Sequence, residues 1–180
     1  MIKKETTKDL LTRSAMDLLS RMPEEKITVR DITDNCSVSR KTFYNYFADK
    51  YDCYMWSYEQ TLLSYFQEIS PQYPFKQAVY DALEMLKSNW TVLKKISEGQ
   101  MLFQYADGMK NSFIDVLSKY YGPLDERSVF YIDYTCTALV SMVSKWLESH
   151  RQVSGRQMCD CLCECVPENL KNLFINAGLF

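Results

Sequence analysis

Apolar residues recur along this chain at intervals of three and four with polar residues between them, which is the pattern of amphipathic helices. Leu10, Leu11, Ala15, Leu18, Leu19 and Met22 form one such stripe and predict an opening helix over about 6–22, ended by Pro23. A short helix over about 28–35 follows. Thr28 is its N-cap, Asp31 stands three residues on in a capping-box position, and Val29 and Ile32 share a face. Cys36-Ser37-Val38 contains no helix-favouring run, and Ser39 is a second N-cap that opens Arg40-Lys41-Thr42-Phe43-Tyr44-Asn45. Two short helices about a tight turn, backed by a longer one, read as a helix-turn-helix.

The same periodicity continues to the C-terminus. Helices are predicted from Lys50 to about 69, over 75–87, 90–97, about 100–121, about 125–149, from 154 or 155 through Val166, and 168–177. Ser70-Pro71-Gln72-Tyr73-Pro74 and Gly122-Pro123 are breaks. With no long alternating β-type run, the expected class is all-α: a three-helix helix-turn-helix head over 1–50, a linking helix over 50–69, and a helical body over 51–180, about nine to ten helices altogether. The segment 125–149 is apolar on two faces. One carries Val129, Ile132, Cys136, Leu139, Val143 and Trp146; the other carries Phe130, Tyr134, Ala138 and Met142. Such a helix needs two partners: the domain's own core, and either a second copy of the chain or more of the same chain.

The side chains after Ser39 divide by chemistry. Val38, Phe43 and Phe47 suit a core, while Ser39, Arg40, Lys41, Thr42, Tyr44 and Asn45 offer the donors, acceptors and methyl that read a major groove. Asp49 can cap the helix from Lys50, whose ammonium and free first-turn N–H groups suit a phosphate, with Tyr44 and Tyr46 hydroxyls at the same level. This segment resembles the DNA-binding domain of the TetR family of bacterial transcription regulators. The resemblance covers roughly residues 6–55 and is carried by Thr28, Ile32, Val38-Ser39, Thr42-Phe43-Tyr44, Tyr46-Phe47 and Lys50. Two positions depart from it. Asn35-Cys36-Ser37 stands where the family has small residues and then Gly, and Lys41 stands where many relatives have a small residue; Ser at a glycine-favouring φ carries strain.

The resemblance implies a homodimer on a pseudo-palindromic double-stranded DNA operator, acting as a repressor and released by a small-molecule effector. Ser39, Arg40, Lys41, Thr42 and Asn45 would face bases, and Thr28, Tyr44, Tyr46 and Lys50 would hold phosphates. The family's last long helices pair across a two-fold, which nominates Val129, Ile132, Cys136, Leu139, Val143, Trp146, Leu162, Leu170 and Phe174 as the dimer interface. Trp90, Phe103, Tyr105, Phe113, Tyr120, Tyr131 and Tyr134 are candidates for an apolar effector pocket. The alternative is a co-activator or interaction module that works through a protein partner rather than by binding DNA alone.

Charge fits a DNA-facing head. Residues 1–50 hold ten Lys and Arg against eight Asp and Glu, a net of +2; residues 51–180 hold eleven against fifteen, a net of −4. Met1 to Arg13 is too charged for a secretory signal, and no window approaches a membrane span, so a cytoplasmic protein with reduced thiols is expected. Cys159, Cys161, Cys163 and Cys165 make two i, i+4 pairs on a helix, which suit a soft metal, a thiol sensor, or plain packing as small hydrophobes. His150 is the single histidine. No nucleophile–base arrangement or Gly-rich phosphate loop is present, so the sequence calls for no enzyme, no cofactor and no metal.

Overall fold

The computed structural model describes residues 6–97, 104–149 and 153–180. These form helices throughout, with one isolated β-bridge, Ser70 to Tyr73, and the chain divides into two compact units, Met1–Gln60 and Thr61–Phe180. The division falls between Gln60 and Thr61 rather than at residue 50, because Cys53, Tyr54 and Tyr58 are buried in the first unit's part of the helix that begins at Lys50.

In the head, α1 (Thr7–Arg21) opens with a capping box in which the Thr6 hydroxyl accepts from the Asp9 N–H. A 3-10 turn, Glu24–Lys26, follows; three residues are too few to leave a periodic signal. Then come α2 (Val29–Asn35), α3 (Arg40–Tyr44) and α4 (Lys50–Gln67). Leu11, Ala15, Ile27, Ile32, Phe43 and Tyr54 are at most 1% exposed and form the core. The Phe43 and Phe47 rings lie 5.6 Å apart, and Lys8 Nζ sits 4.4 Å from the Trp56 ring centroid.

The body contains α5 (Phe75–Ser88), α6 (Trp90–Ser97), α7 (Gln104–Tyr121), α8 (Glu126–Glu148), α9 (Gly155–Glu164) and α10 (Glu168–Asn176). Local chemistry sets their ends. The Asp125 carboxylate accepts from the Ser128 N–H, Ser154 and Gln157 make a capping box, and Gly122 takes φ +71° where α7 stops. Phe75, Phe113 and Phe174 meet with ring centroids 5.0–5.6 Å apart, and Phe66 joins at 5.4 Å from Phe113. Truncating a ring at the centre of such a cluster costs about 3–5 kcal/mol.

The structure separates the two faces of α8. Ile132, Cys136, Leu139, Val143 and Trp146, with Leu162, Leu170 and Phe174, are buried within this one chain, and Val129 is half-buried. They are the body's own core and not an interface. Phe130, Tyr134 and Met142 are the exposed ones, at 66%, 57% and 46%.

Candidate nucleic-acid interface

The reader is built from caps. The Thr28 hydroxyl accepts from the Asp31 N–H at 3.2 Å, while the Thr28 hydroxyl and backbone N–H donate to the Asp31 carboxylate at 2.6 and 2.8 Å. These bonds hold the Asp31 carboxyl below its ordinary pKa, the hydroxyl contributing most. The far end of α2 closes in a Schellman motif, in which the N–H groups of Ser37 and Val38 donate to the carbonyls of Asp34 and Thr33. The motif needs a left-handed residue, and Ser37 provides it at φ +55°, where the resembling family has Gly. Ser14 fixes α2 from behind by donating to the Ile32 carbonyl at 2.7 Å, and Asn35 donates to Ser14 at 3.0 Å.

Ser39 then caps α3, its hydroxyl accepting from the Thr42 N–H at 3.0 Å and lying 2.8 Å from the Thr42 hydroxyl. Phe43 is fully buried and Phe47 nearly so, which fixes the roll of this five-residue helix. Ser39, Arg40, Lys41, Tyr44, Asn45 and Tyr46 are exposed on the other side, and Thr42 is half-buried. Between Asn35 and Ala48 the chain has two cations and no carboxylate. The exposed edge is therefore locally positive, though Met1–Gln60 as a whole holds ten Lys and Arg against ten Asp and Glu and has no net charge. Such a surface can donate to base edges and to phosphate oxygens.

Of the four residues expected at phosphates, Tyr44 and Tyr46 stand in solvent at 51% and 45% exposure. The other two are engaged internally. The Thr28 hydroxyl belongs to the capping box. Lys50 is 14% exposed, and its ammonium donates to the carbonyls of Glu24 at 2.7 Å and Ile27 at 2.9 Å, with the Glu24 carboxylate at 3.6 Å. Two of the ammonium's three donors are hydrogen-bonded to carbonyls, and the carboxylate adds an ion pair. Lys50 thus ties the residue before the Thr28 cap to the start of α4. Two first-turn N–H groups of α4 are similarly taken, since Asp49 accepts from Tyr51 and Asp52; Asp52 in turn accepts from Ala48, which precedes the helix. Lys50, expected at a phosphate, and this helix start are thus engaged in internal bonds. Sequence reading missed the Lys50 tie because its partners lie 23 and 26 residues earlier.

The candidate effector residues do not assemble as expected. Phe113 is in the aromatic core, Tyr120 and Tyr134 are exposed, and the Tyr131 hydroxyl accepts from Arg127 at 3.3 Å and Asn169 at 3.0 Å. Trp90 is half-buried, with an indole N–H that has no hydrogen-bond partner among the described residues. Phe103 and the Tyr105 side chain lie outside the described residues, as does His150. The thiols sort into a buried pair, Cys159 and Cys163, and an exposed pair, Cys161 and Cys165. Among the described residues, no three His, Cys, Asp or Glu are placed to hold a metal, and no helix is long and apolar enough to cross a membrane.

Residues 11–54 match the family model described as bacterial regulatory proteins, tetR family. The chain is 26% identical to the HTH-type dhaKLM operon transcriptional activator DhaS of Lactococcus lactis subsp. lactis (strain IL1403), over 53% of this chain and 51% of that relative, so the match spans about half the length of each. Its fold is similar to the TetR family repressor AlkX from Dietzia sp. strain DQ12-45-1b, with TM-score 0.69 and 12% identity over 94% of this chain and 98% of that structure. It is also similar to the solved dihydroxyacetone kinase operon activator DhaS, with TM-score 0.56 and 17% identity over 96% and 97%.

Proposed function

We propose that this TetR-family transcriptional regulator, with its DNA-binding helix-turn-helix head, acts as a homodimeric repressor that a small molecule held in its body releases from a pseudo-palindromic operator. The observation that carries the reading is the exposed edge of α3, where Arg40 and Lys41 form no ion pair with any described residue while Phe43 beneath them is fully buried. Arg40, Lys41 and Asn45 are the base readers, flanked by the Ser39 and Thr42 hydroxyls, and Tyr44 and Tyr46 hold phosphates.

One five-residue helix reads only a few base pairs, so specificity requires two heads on successive major grooves, about 34–36 Å apart. The pairing surface is the outer row of α8: Phe130, Tyr134, Ala138 and Met142 recur every fourth residue and form one ridge. Tyr134, Ala138 and Met142 continue into a groove whose far wall includes Met158 and Cys161 of α9 and Cys165 just after it. A monomer rarely exposes a contiguous apolar surface of this kind, and a second copy of the same ridge covers it.

Activation is the second reading, favoured by the likeness to DhaS, which is named an activator. Mobility shift with the duplex flanking the chain's own gene, followed by transcription from that promoter with and without the chain, separates these. Repression gives a shift and a promoter that rises when the chain is removed. Activation gives a shift and a promoter that falls. No shift by the chain alone overturns both and leaves a module that acts through a protein partner.

A further inference from the structure

We infer that the body holds a soft monovalent metal ion, Cu(I), in the groove between α8 and α9, where two thiols and two thioethers of one chain line a common space. The groove is about 330 Å³ and is lined by ten residues, of which Met142, Met158, Cys161 and Cys165 carry sulfur. None of the ten is a carboxylate or an imidazole, and the remainder are mostly aliphatic. All ten belong to one chain, so the site goes beyond the functional reading above and stands without the pairing proposed there.

Spacing makes the cluster. Met158, Cys161 and Cys165 stand at i, i+3 and i+7, which puts them on one helical face. The helical turn holds as far as Cys165, whose N–H donates to the Cys161 carbonyl at 3.1 Å. Residues on successive turns have Cβ atoms about 5–6 Å apart, close enough for both sulfurs to bond one ion between them. Both thiols are exposed, and neither is hydrogen-bonded to a described residue. Met142 comes from the opposite wall. It is 46% exposed on the outer row of α8, and its unbranched thioether has the rotamer freedom to reach into the groove.

Donor chemistry selects the ion. Thiolate and thioether sulfurs are soft donors that favour Cu(I), whereas Mg²⁺ and Ca²⁺ take oxygen ligands. Zinc would complete two thiolates with further thiolate, imidazole or carboxylate, and this groove supplies none of these. Each thiol gives up its proton as its sulfur–copper bond forms, so one ion releases two protons and no electron moves. The other two cysteines of α9 stand apart from the site: Cys159 and Cys163 are buried, and the Cys159 thiol donates to the Lys76 carbonyl of α5 at 3.4 Å.

Anaerobic titration of Cu(I) against bicinchoninate, with the full chain and ascorbate present, tests this. One Cu(I) per chain should bind, and X-ray absorption at the copper edge should show sulfur ligands. Cys161→Ser/Cys165→Ser should lower affinity by more than about 100-fold and Met142→Leu by about tenfold, on a scale where partners outside the ligand shell are worth about 10- to 100-fold. Cys159→Ala/Cys163→Ala should leave it unchanged, and so should Phe130→Asp, which lies outside the groove. Helical circular dichroism establishes that each variant is folded, and Met142→Leu, at an exposed position, remains a test if the serine variant does not fold. Zinc held as tightly as Cu(I), or oxygen and nitrogen ligands in the absorption spectrum, overturns the inference. So does unchanged affinity in the folded serine variant or in Met142→Leu, or lost affinity in folded Cys159→Ala/Cys163→Ala. Loss of binding in Phe130→Asp would mean a site built by two copies and overturns the single-chain assignment.

Discussion

In the head, Thr6, Thr28 and Ser39 each accept a hydrogen bond from a backbone N–H three residues on, and each such bond starts a helix at a defined residue. In the body, Asp125 and Ser154 do the same, but caps do not decide what its surfaces are for. That is settled by which helices pack together: α8 buries Ile132, Cys136 and Val143 in its own chain and leaves Phe130, Tyr134 and Met142 outside. On the proposed reading, the head works through polar groups presented by locally capped helices, and the body through apolar groups fixed by distant ones.

Breaking that contrast in the head has the largest effect at Lys50. Lys50→Met removes an ammonium from two carbonyls and leaves the 5%-exposed Glu24 carboxylate without it, which should destabilise the head by about 3 kcal/mol. At a temperature where the variant remains folded, the slope of DNA affinity against salt should match that of the natural chain. A slope lower by about one would mean that Lys50 holds a phosphate after all.

In the body the corresponding break is Phe130→Asp. At 66% exposure this residue contributes little to the folded protomer, so the melting midpoint should move little. Dimer dissociation measured by sedimentation should rise by about 10- to 100-fold, since an aspartate would be buried against its own copy. A wild-type dissociation constant would move the pairing surface elsewhere.

These two sites also mark the limits of what the sequence reveals. The starts of α2, α3 and α4 are legible because Thr28, Ser39 and Asp49 act on residues two or three places on. Phe43 and Phe47 are legible as core because the polar residues between them cannot be. Lys50 is not, since nothing local shows that its partners lie before Thr28. On α8 the periodicity identifies both apolar faces correctly but cannot say which one the chain itself covers. The aromatic effector residues fail for a related reason: Phe113 closes a core with Phe75 and Phe174, residues that come within reach only after folding.

Smaller effects sharpen the head's side of the comparison. Ser37→Gly relieves a left-handed serine and should stabilise the head by about 0.5–1 kcal/mol without altering DNA affinity. Destabilisation would mean that the serine side chain does something the turn requires. The smallest effect is in pH. Because Thr28 holds the Asp31 carboxyl below its usual value, this pair's contribution is fully present above the ordinary carboxylate pKa of about 4. It is lost as pH falls through the lowered value. Thr28→Val should make stability less dependent on pH in that acid range, as read by urea melts at a series of pH values.

The most direct measurement is titration of an operator duplex with the natural chain and with Arg40→Ala/Lys41→Ala, at matched salt and with both melting midpoints recorded. The exposed edge of α3 predicts affinity lower by about 100-fold in the double variant, with an unchanged midpoint. Equal affinity in the two proteins would contradict the assignment of that edge to DNA.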